Sequence, residues 1–194
     1  KIMKVGYARV SSNTQDLELQ TQELLKAGCE KVYSESISGK DNNRPELTAM
    51  IESLRKMKLM IAQEVRRKRL TNNIKLGAGG IREVEFIVQA LQMVRGGREA
   101  NLQTQSLLYA LEQLTLNQAM DEQEANELKR NYLHLRKVEQ YLQMFDDQQT
   151  QTLPDDELNQ ERLNYLLESE SFDHTMSEIE QVMAKIHDEF LLVI

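Results

Sequence analysis

Two groups of residues in this chain have types and spacing that suit chemistry. The first is Arg9 and Ser11, at the end of a short apolar run. A serine hydroxyl is a weak nucleophile. To act as one it would need an activating group, and cations to stabilise an anionic transition state. Arg9 precedes Ser11 by two residues, so on an extended strand both side chains point the same way. A plainer reading is that Ser11, Ser12, Asn13 and Thr14 cap a helix that begins near Gln15. The second group lies in Lys75–Gln89, KLGAGGIREVEFIVQ. Gly77, Gly79 and Gly80 sit directly before an apolar helical pattern, with Arg82, Glu83 and Glu85 in its first turns. Such a turn could present the helix N-terminus to an anionic ligand. It could equally be a tight turn between two helices whose charges pair with each other. The second reading is favoured, because a glycine cluster alone carries little specificity.

Metal chemistry finds little support. The acid pairs Asp146-Asp147 and Asp155-Asp156 are adjacent in sequence and so diverge around a helix end. Glu83 and Glu85 are separated by about 200° around a helix, which argues against joint ligation. His134, His174 and His187 share no ligand spacing and are expected to be exposed or capping. A lone cysteine, Cys29, excludes an intrachain disulfide and an all-cysteine metal site.

The elements that must position these residues divide the chain. Ile2–Val10 reads as a strand, Asp16–Lys26 as a helix closed by Gly28, and Lys31–Ser34 as a second strand. Arg44-Pro45 opens another helix, with proline in its first turn. Strand, helix, strand, helix is a crossover unit of a parallel sheet. From Met57 onward the pattern is wholly helical. Met57–Leu70 has the basic end Arg66-Arg67-Lys68-Arg69, suited to a C-terminal dipole. Ile81–Arg95, Thr104–Gln118, a helix from Asp121 to about Phe145, Asp155–Glu168 and Thr175–Val193 follow. Asp121 with Glu124 three residues later has the form of a capping box. Six helices with short links read as a bundle. The expected fold is mainly α: a multi-helix bundle over 57–194, preceded by a truncated βαβα segment over 1–56.

Charge divides in the same place. Residues 1–73 carry 14 Lys and Arg against 9 Asp and Glu, a net of +5. Residues 74–194 carry 10 against 22, a net of −12. The acidic part should avoid nucleic acid, because phosphate contacts need Lys and Arg. No run of about 18 apolar residues exists, so no membrane span is expected. No signal-peptide pattern is visible, and a cytoplasmic protein is the default expectation.

The run Gly6-Tyr7-Ala8-Arg9-Val10-Ser11-Ser12, with Leu19-Gln20, Ser38-Gly39 and Arg44-Pro45, resembles the start of the serine recombinases, the resolvases and invertases. The resemblance implies a nucleophilic role for Ser11, and phosphate-binding or positioning roles for Tyr7, Arg9, Gln20 and Arg44. DNA is the partner it implies. Glu35 stands where that family commonly has aspartate. The resemblance stops near Arg55, before the third strand, the long dimerisation helix and the DNA-binding helix-turn-helix. Two parallel strands alone expose unpaired edges, through which copies could associate. The segment is therefore expected not to be a competent recombinase.

A second resemblance covers most of residues 57–170. Asn73–Gln89, Arg95-Gly96-Gly97-Arg98, Leu135-Arg136 with Glu139, and Asp147–Pro154 look like the helical domain of the bifunctional glutamine synthetase adenylyltransferase/adenylyl-removing enzyme. There the helical domain follows a nucleotidyltransferase domain, whose D-x-D aspartates bind Mg²⁺ or Mn²⁺ with ATP or adenylyl-tyrosine. This chain contains no D-x-D. The resemblance implies a helical module of nitrogen-assimilation control that is catalytically silent alone, with no cofactor of its own. Mg²⁺ and ATP would act only through a separate catalytic domain. Glutamine synthetase or such a domain would be the partner, and Gly79, Gly80, Arg82, Glu83 and Glu85 would lie near the nucleotide site. The two resemblances meet near Ser53-Leu54-Arg55, where one helix could run from about Pro45 to Leu70. The chain reads as a chimera, whether from gene rearrangement, frameshift or design. A recombinase remnant using Ser11 is the alternative reading.

Overall fold

The computed structural model describes residues 4–11, 14–37, 43–67, 72–144 and 150–193. Ser12, Asn13, Ser38, Gly39, Lys68, Arg69, Phe145, Asp146 and Asp147, singled out above, lie outside the described residues. The elements run β1 (Val5–Val10), α1 (Thr14–Lys26), β2 (Lys31–Ser36), α2 (Pro45–Arg67), α3 (Ile81–Arg95), α4 (Leu107–Leu116), α5 (Glu122–Met144), α6 (Glu157–Leu167) and α7 (Phe172–Val193). The fold is mainly α with a short N-terminal β/α segment.

β1 and β2 form a parallel pair with Tyr7 opposite Tyr33 and Arg9 opposite Glu35. β1 alternates half-buried Val5, Tyr7 and Arg9 with buried Gly6, Ala8 and Val10, the period-two pattern of a strand covered on one face. Gly6 faces α1, since a Cβ there would lie 3.1–3.2 Å from the Leu24 and Cys29 side chains. Tyr33, Leu47 and Met50 form a small core between β2 and α2, with Val5, Tyr7 and Met93 packed against it. Met93 belongs to α3, so this core docks the N-terminal segment on the bundle.

The helix opened by Pro45 crosses residue 56, in line with the single run expected from about Pro45. It continues to Arg67 as one 23-residue element across the place where the two resemblances meet. The sequence pattern at that point suits both halves, with Leu54 buried and Lys58 turned to the bundle. The main core lies among α3–α7, built on fully buried Ile74, Ile81, Val84, Ile87, Leu114, Leu135, Leu163, Ile179 and Ile186. Apolar residues three and four apart on each helix meet here, which is why the stripes read from sequence became the interior.

Caps fix the ends. Asp121 Oδ1 accepts from the Gln123 and Glu124 amides at 2.8 and 3.4 Å. Asp156 accepts from the Asn159 amide at 3.0 Å at the start of α6, and Ser106 from Tyr109 at the start of α4. The link after α5 is more than a polar connection. Thr152 bridges to Asn73 in antiparallel fashion, with Ile74 N to Gln151 O at 2.9 Å and Leu153 N to Asn72 O at 3.0 Å. This clamp holds the glycine turn in place.

Candidate functional site

The turn before α3 begins at Asn73, which is buried. Its Oδ1 accepts from the Lys75 and Leu76 amides at 3.1 and 2.8 Å, an Asx-type turn. The chain then folds back through Gly77–Gly80. Gly79 has φ +72, and a Cβ there would overlap the Met183 carbonyl of α7. The glycine therefore permits both a left-handed backbone and direct contact of the turn with a helix.

The amide hydrogens at this helix start are consumed internally. Gly79 N donates to Glu83 Oε2 at 2.8 Å. Gly80 donates to Gly77 O, Ile81 to Ile74 O, Arg82 to Lys75 O and Glu83 to Gly80 O, all within 2.9–3.1 Å. An anion site at a helix N-terminus needs free N–H groups. Here the chain's own oxygens occupy the amides of Gly79 through Glu83, the hydrogen bonding of a tight turn between two helices.

Glu83 is the carboxylate that completes the turn. It has no exposed surface. Lys58 of α2 donates to its Oε1, and His187 Nδ1 of α7 lies 2.9 Å from its Oε2. The His187 ring stacks on Phe190 with centroids 6.4 Å apart, and Lys58 Nζ sits 5.2 Å from the Phe190 ring centre. A buried carboxylate without such partners would be costly. Glu83 is thus paired with two distant helices, not with Arg82 or Glu85 beside it. A second buried carboxylate, Glu139 of α5, is met by Lys75 Nζ at 3.1 Å and by Arg136. These two acids tie the turn to α2, α5 and α7.

Gly79 and Gly80 are buried with Glu83. The residues of the candidate set that remain partly exposed are Arg82 and Glu85, which pair with each other across one helical turn. Arg82 also lies 5.8 Å over the Phe86 ring. All three border a cleft of about 1740 Å³ between the bundle and the N-terminal segment.

Across that cleft stand the residues read as recombinase-like. Ser11 follows β1 directly and is exposed. Tyr7, two pairs of residues upstream on the same face of β1, gives its hydroxyl to Glu35. Burial, and then the Glu35 contact, push its phenol above the ordinary range. Glu35 is itself buried and accepts from the Glu46 amide at 3.3 Å, capping α2. The acid in place of the usual aspartate is therefore a structural cap as well as the Tyr7 acceptor. Arg9 Nη1 donates to Ile37 O at 3.2 Å, and Gln20 Oε1 accepts from the Arg9 amide at 3.3 Å. Arg44 Nη1 reaches Val94 O, at the C-terminal end of α3, at 3.5 Å. The structure thus places Tyr7, Arg9, Gln20 and Arg44 around one strand but spends contacts of each on the chain itself.

His174 matches the expectation of an exposed or capping residue, whereas His134 and His187 are partly buried. His174 is exposed beside its own helix start, where its amide donates to Ser171 Oγ. His187 binds Glu83. His134 is partly buried, and burial holds its imidazole below the usual range. No sequence spacing marks His187 as the partner of Glu83, which lies 104 residues away. Lys58, Asn73, Glu139 and Thr152 were likewise invisible as partners. Glu139 alone carried a signal, as an acid among the apolar positions of α5.

Among the described residues no three His, Cys, Asp or Glu side chains are grouped to hold a metal ion. Asp156 is spent on its cap, and the amides of Gly79 through Glu83 are spent within the chain.

Residues 55–194 match the GlnD PII-uridylyltransferase family. The chain belongs to that family. Residues 4–78 match the resolvase N-terminal domain, overlapping the first match across α2 and the glycine turn. Among curated proteins, the chain is 55% identical over 140 residues to the bifunctional glutamine synthetase adenylyltransferase/adenylyl-removing enzyme of Shewanella oneidensis. It is 50% identical over 144 residues to the enzyme of the same name from Idiomarina loihiensis. These matches cover 72% and 74% of this chain but 15% of each relative. The chain therefore carries a family helical segment joined to a resolvase-like start, as the two resemblances implied. No helix among the described residues is long and apolar enough to cross a membrane.

Proposed function

We propose that residues 57–194 act as a catalytically silent helical module that docks a separate nucleotidyltransferase domain, in the cytoplasm, in the control of glutamine synthetase. The observation that carries this reading is the glycine turn at the head of α3. The amides of Gly79 through Glu83 and its buried acid are engaged within the bundle, while Arg82, Glu85 and Phe86 are half-buried and line the cleft. A turn built this way can position a neighbour but offers no chemistry of its own. Mg²⁺ and ATP belong to the docked domain. Glutamine synthetase is the protein acted on, reached through that domain.

The test is binding of the purified chain to a nucleotidyltransferase domain of an adenylyltransferase relative, followed by calorimetry. Reversing both charges, Arg82→Glu with Glu85→Arg, keeps the intrahelical pair and inverts what faces the partner. Docking through this surface requires the double reversal to weaken binding by about tenfold or more, the scale of a lost charge-assisted contact. Equal binding by both proteins would place the docking surface elsewhere.

A further inference from the structure

The cleft between the two parts contains a feature that the bundle's role does not use. In a parallel pair, alternate residues turn their backbone groups toward the neighbouring strand. Lys4 O accepts from Glu30 N at 2.8 Å and Val10 O from Ile37 N at 2.9 Å, so the even-numbered residues of β1 face β2. The odd-numbered ones, Val5, Tyr7 and Arg9, turn theirs to the outer edge. The outermost of these, the Arg9 amide, is covered by the Gln20 side chain. Val5 and Tyr7 have no backbone partner there among the described residues.

That edge faces the cleft. Val5, Gly6, Tyr7 and Arg9 line it, and no residue of β2 does. Opposite stand α2 and α3, with exposed apolar Met60 on α2 and, on the near side, exposed Leu19 on α1. The volume, about 1740 Å³, admits a peptide rather than a single small ligand. Its charge is opposite in sign to the whole chain. Six basic side chains line it, against Glu23, Glu64 and Glu85, whereas the protein carries −7.

We propose that an extended acidic segment of a partner protein adds to the free edge of β1 inside this cleft as a third strand. Strand addition takes its affinity from backbone hydrogen bonds and its selectivity from alternate side chains. The donors and acceptors at Val5 and Tyr7 supply the first. The apolar walls and the basic lining supply the second, by accepting alternate apolar and acidic residues. An unpaired edge left open to water is a liability that proteins usually cover, and here only the Arg9 amide is covered.

The experiment uses the full chain and a fluorescein-labelled decapeptide of alternating Glu and Val, read by anisotropy. Saturable binding is expected. Methylating alternate backbone nitrogens of the peptide, which removes its strand-pairing donors, should weaken binding by roughly tenfold or more. A Lys/Val decapeptide should bind at least about tenfold more weakly. Lys56→Glu, an exposed change on the cleft wall, should weaken the acidic peptide several-fold without altering the circular dichroism spectrum. The Val5 and Tyr7 amides should exchange more slowly with deuterium when the peptide is bound. Absence of binding, equal binding of the methylated or basic peptide, or unchanged exchange at both amides would each overturn the proposal. So would concentration-dependent dimerisation that excludes the peptide, since the edge would then belong to a second copy.

Discussion

Lys58, on the helix that spans both parts of the chain, donates to the fully buried Glu83 carboxylate at the head of α3. The contact joins a residue that precedes the glycine turn to one that closes it. Removing the lysine leaves Glu83 with His187 and the Gly79 amide but without the Lys58 ammonium. Breaking a buried pair from one side costs about 3 kcal/mol or more. Lys58→Met should lower the unfolding free energy by about 2–3 kcal/mol, discounted because two partners remain. Urea unfolding followed by circular dichroism measures it. In a double-mutant cycle with Glu83→Gln, the loss in the double mutant should fall short of the sum of the two single losses by about 1 kcal/mol or more.

Gly79→Ala should be among the most damaging single changes in the bundle. The residue has φ +72 and its added Cβ would meet the Met183 backbone. A left-handed conformation costs an L-residue about 1–2 kcal/mol, and overpacking typically adds about 1–3 kcal/mol. A loss of about 3 kcal/mol or more is expected. Gly97→Ala is the control: nothing lies within 4 Å of a Cβ there, and its effect should stay within about 0.5 kcal/mol. Differential scanning calorimetry of the two variants separates a site-specific glycine from glycine content in general.

Much of this was legible in sequence, and the division follows the range of the signal. The helices from Ile81 onward were readable because their apolar residues recur at spacings of three and four, and the burial of Ile81, Val84, Val88, Leu128, Leu135 and Leu142 follows that stripe. The caps at Asp121 and Gly28 were readable because capping is local. The partners of Glu83 were not. A charged residue in an apolar run announces that a partner exists but not where, and here Lys58 and His187 come from two other helices. The Asn73–Thr152 clamp was hidden for the same reason, since a single bridge between loops leaves no period. The recombinase-like residues were found by their motif, yet only the structure shows that Tyr7 gives its hydroxyl to Glu35 and that Gln20 covers a strand edge.

Acid sensitivity should trace in part to His134. Its Nε2 is buried without a partner among the described residues, and burial holds the imidazole below the ordinary range. An unfolded imidazole titrates near ~6.5. As pH falls below that value the unfolded chain takes up a proton that the folded one resists, so stability declines until the folded His134 also protonates. His134→Leu removes this contribution. Its stability should be unchanged or slightly raised near neutrality, and its decline between about pH 6.5 and 5 shallower. Urea titrations across that window compare the two proteins.

The recombinase-like start should be chemically silent. Ser11 is exposed, but Tyr7, Arg9 and Arg44 are each bonded to other groups of the chain. Incubation with a resolvase-type DNA site should yield no covalent Ser11–DNA adduct on denaturing gels. Ser11→Ala should leave the unfolding free energy within about 0.5 kcal/mol of the parent.

The claim that the helical part positions a catalytic domain without performing the reaction is tested by adenylyl transfer itself. Glutamine synthetase, labelled ATP and Mg²⁺ are incubated with this chain, with a nucleotidyltransferase domain of an adenylyltransferase relative, and with both. No label should be transferred by the chain alone, and the pair should transfer more than the domain alone, the gain being lost with Arg82→Glu/Glu85→Arg. Transfer by this chain without the domain would contradict it, as would a pair no more active than the domain.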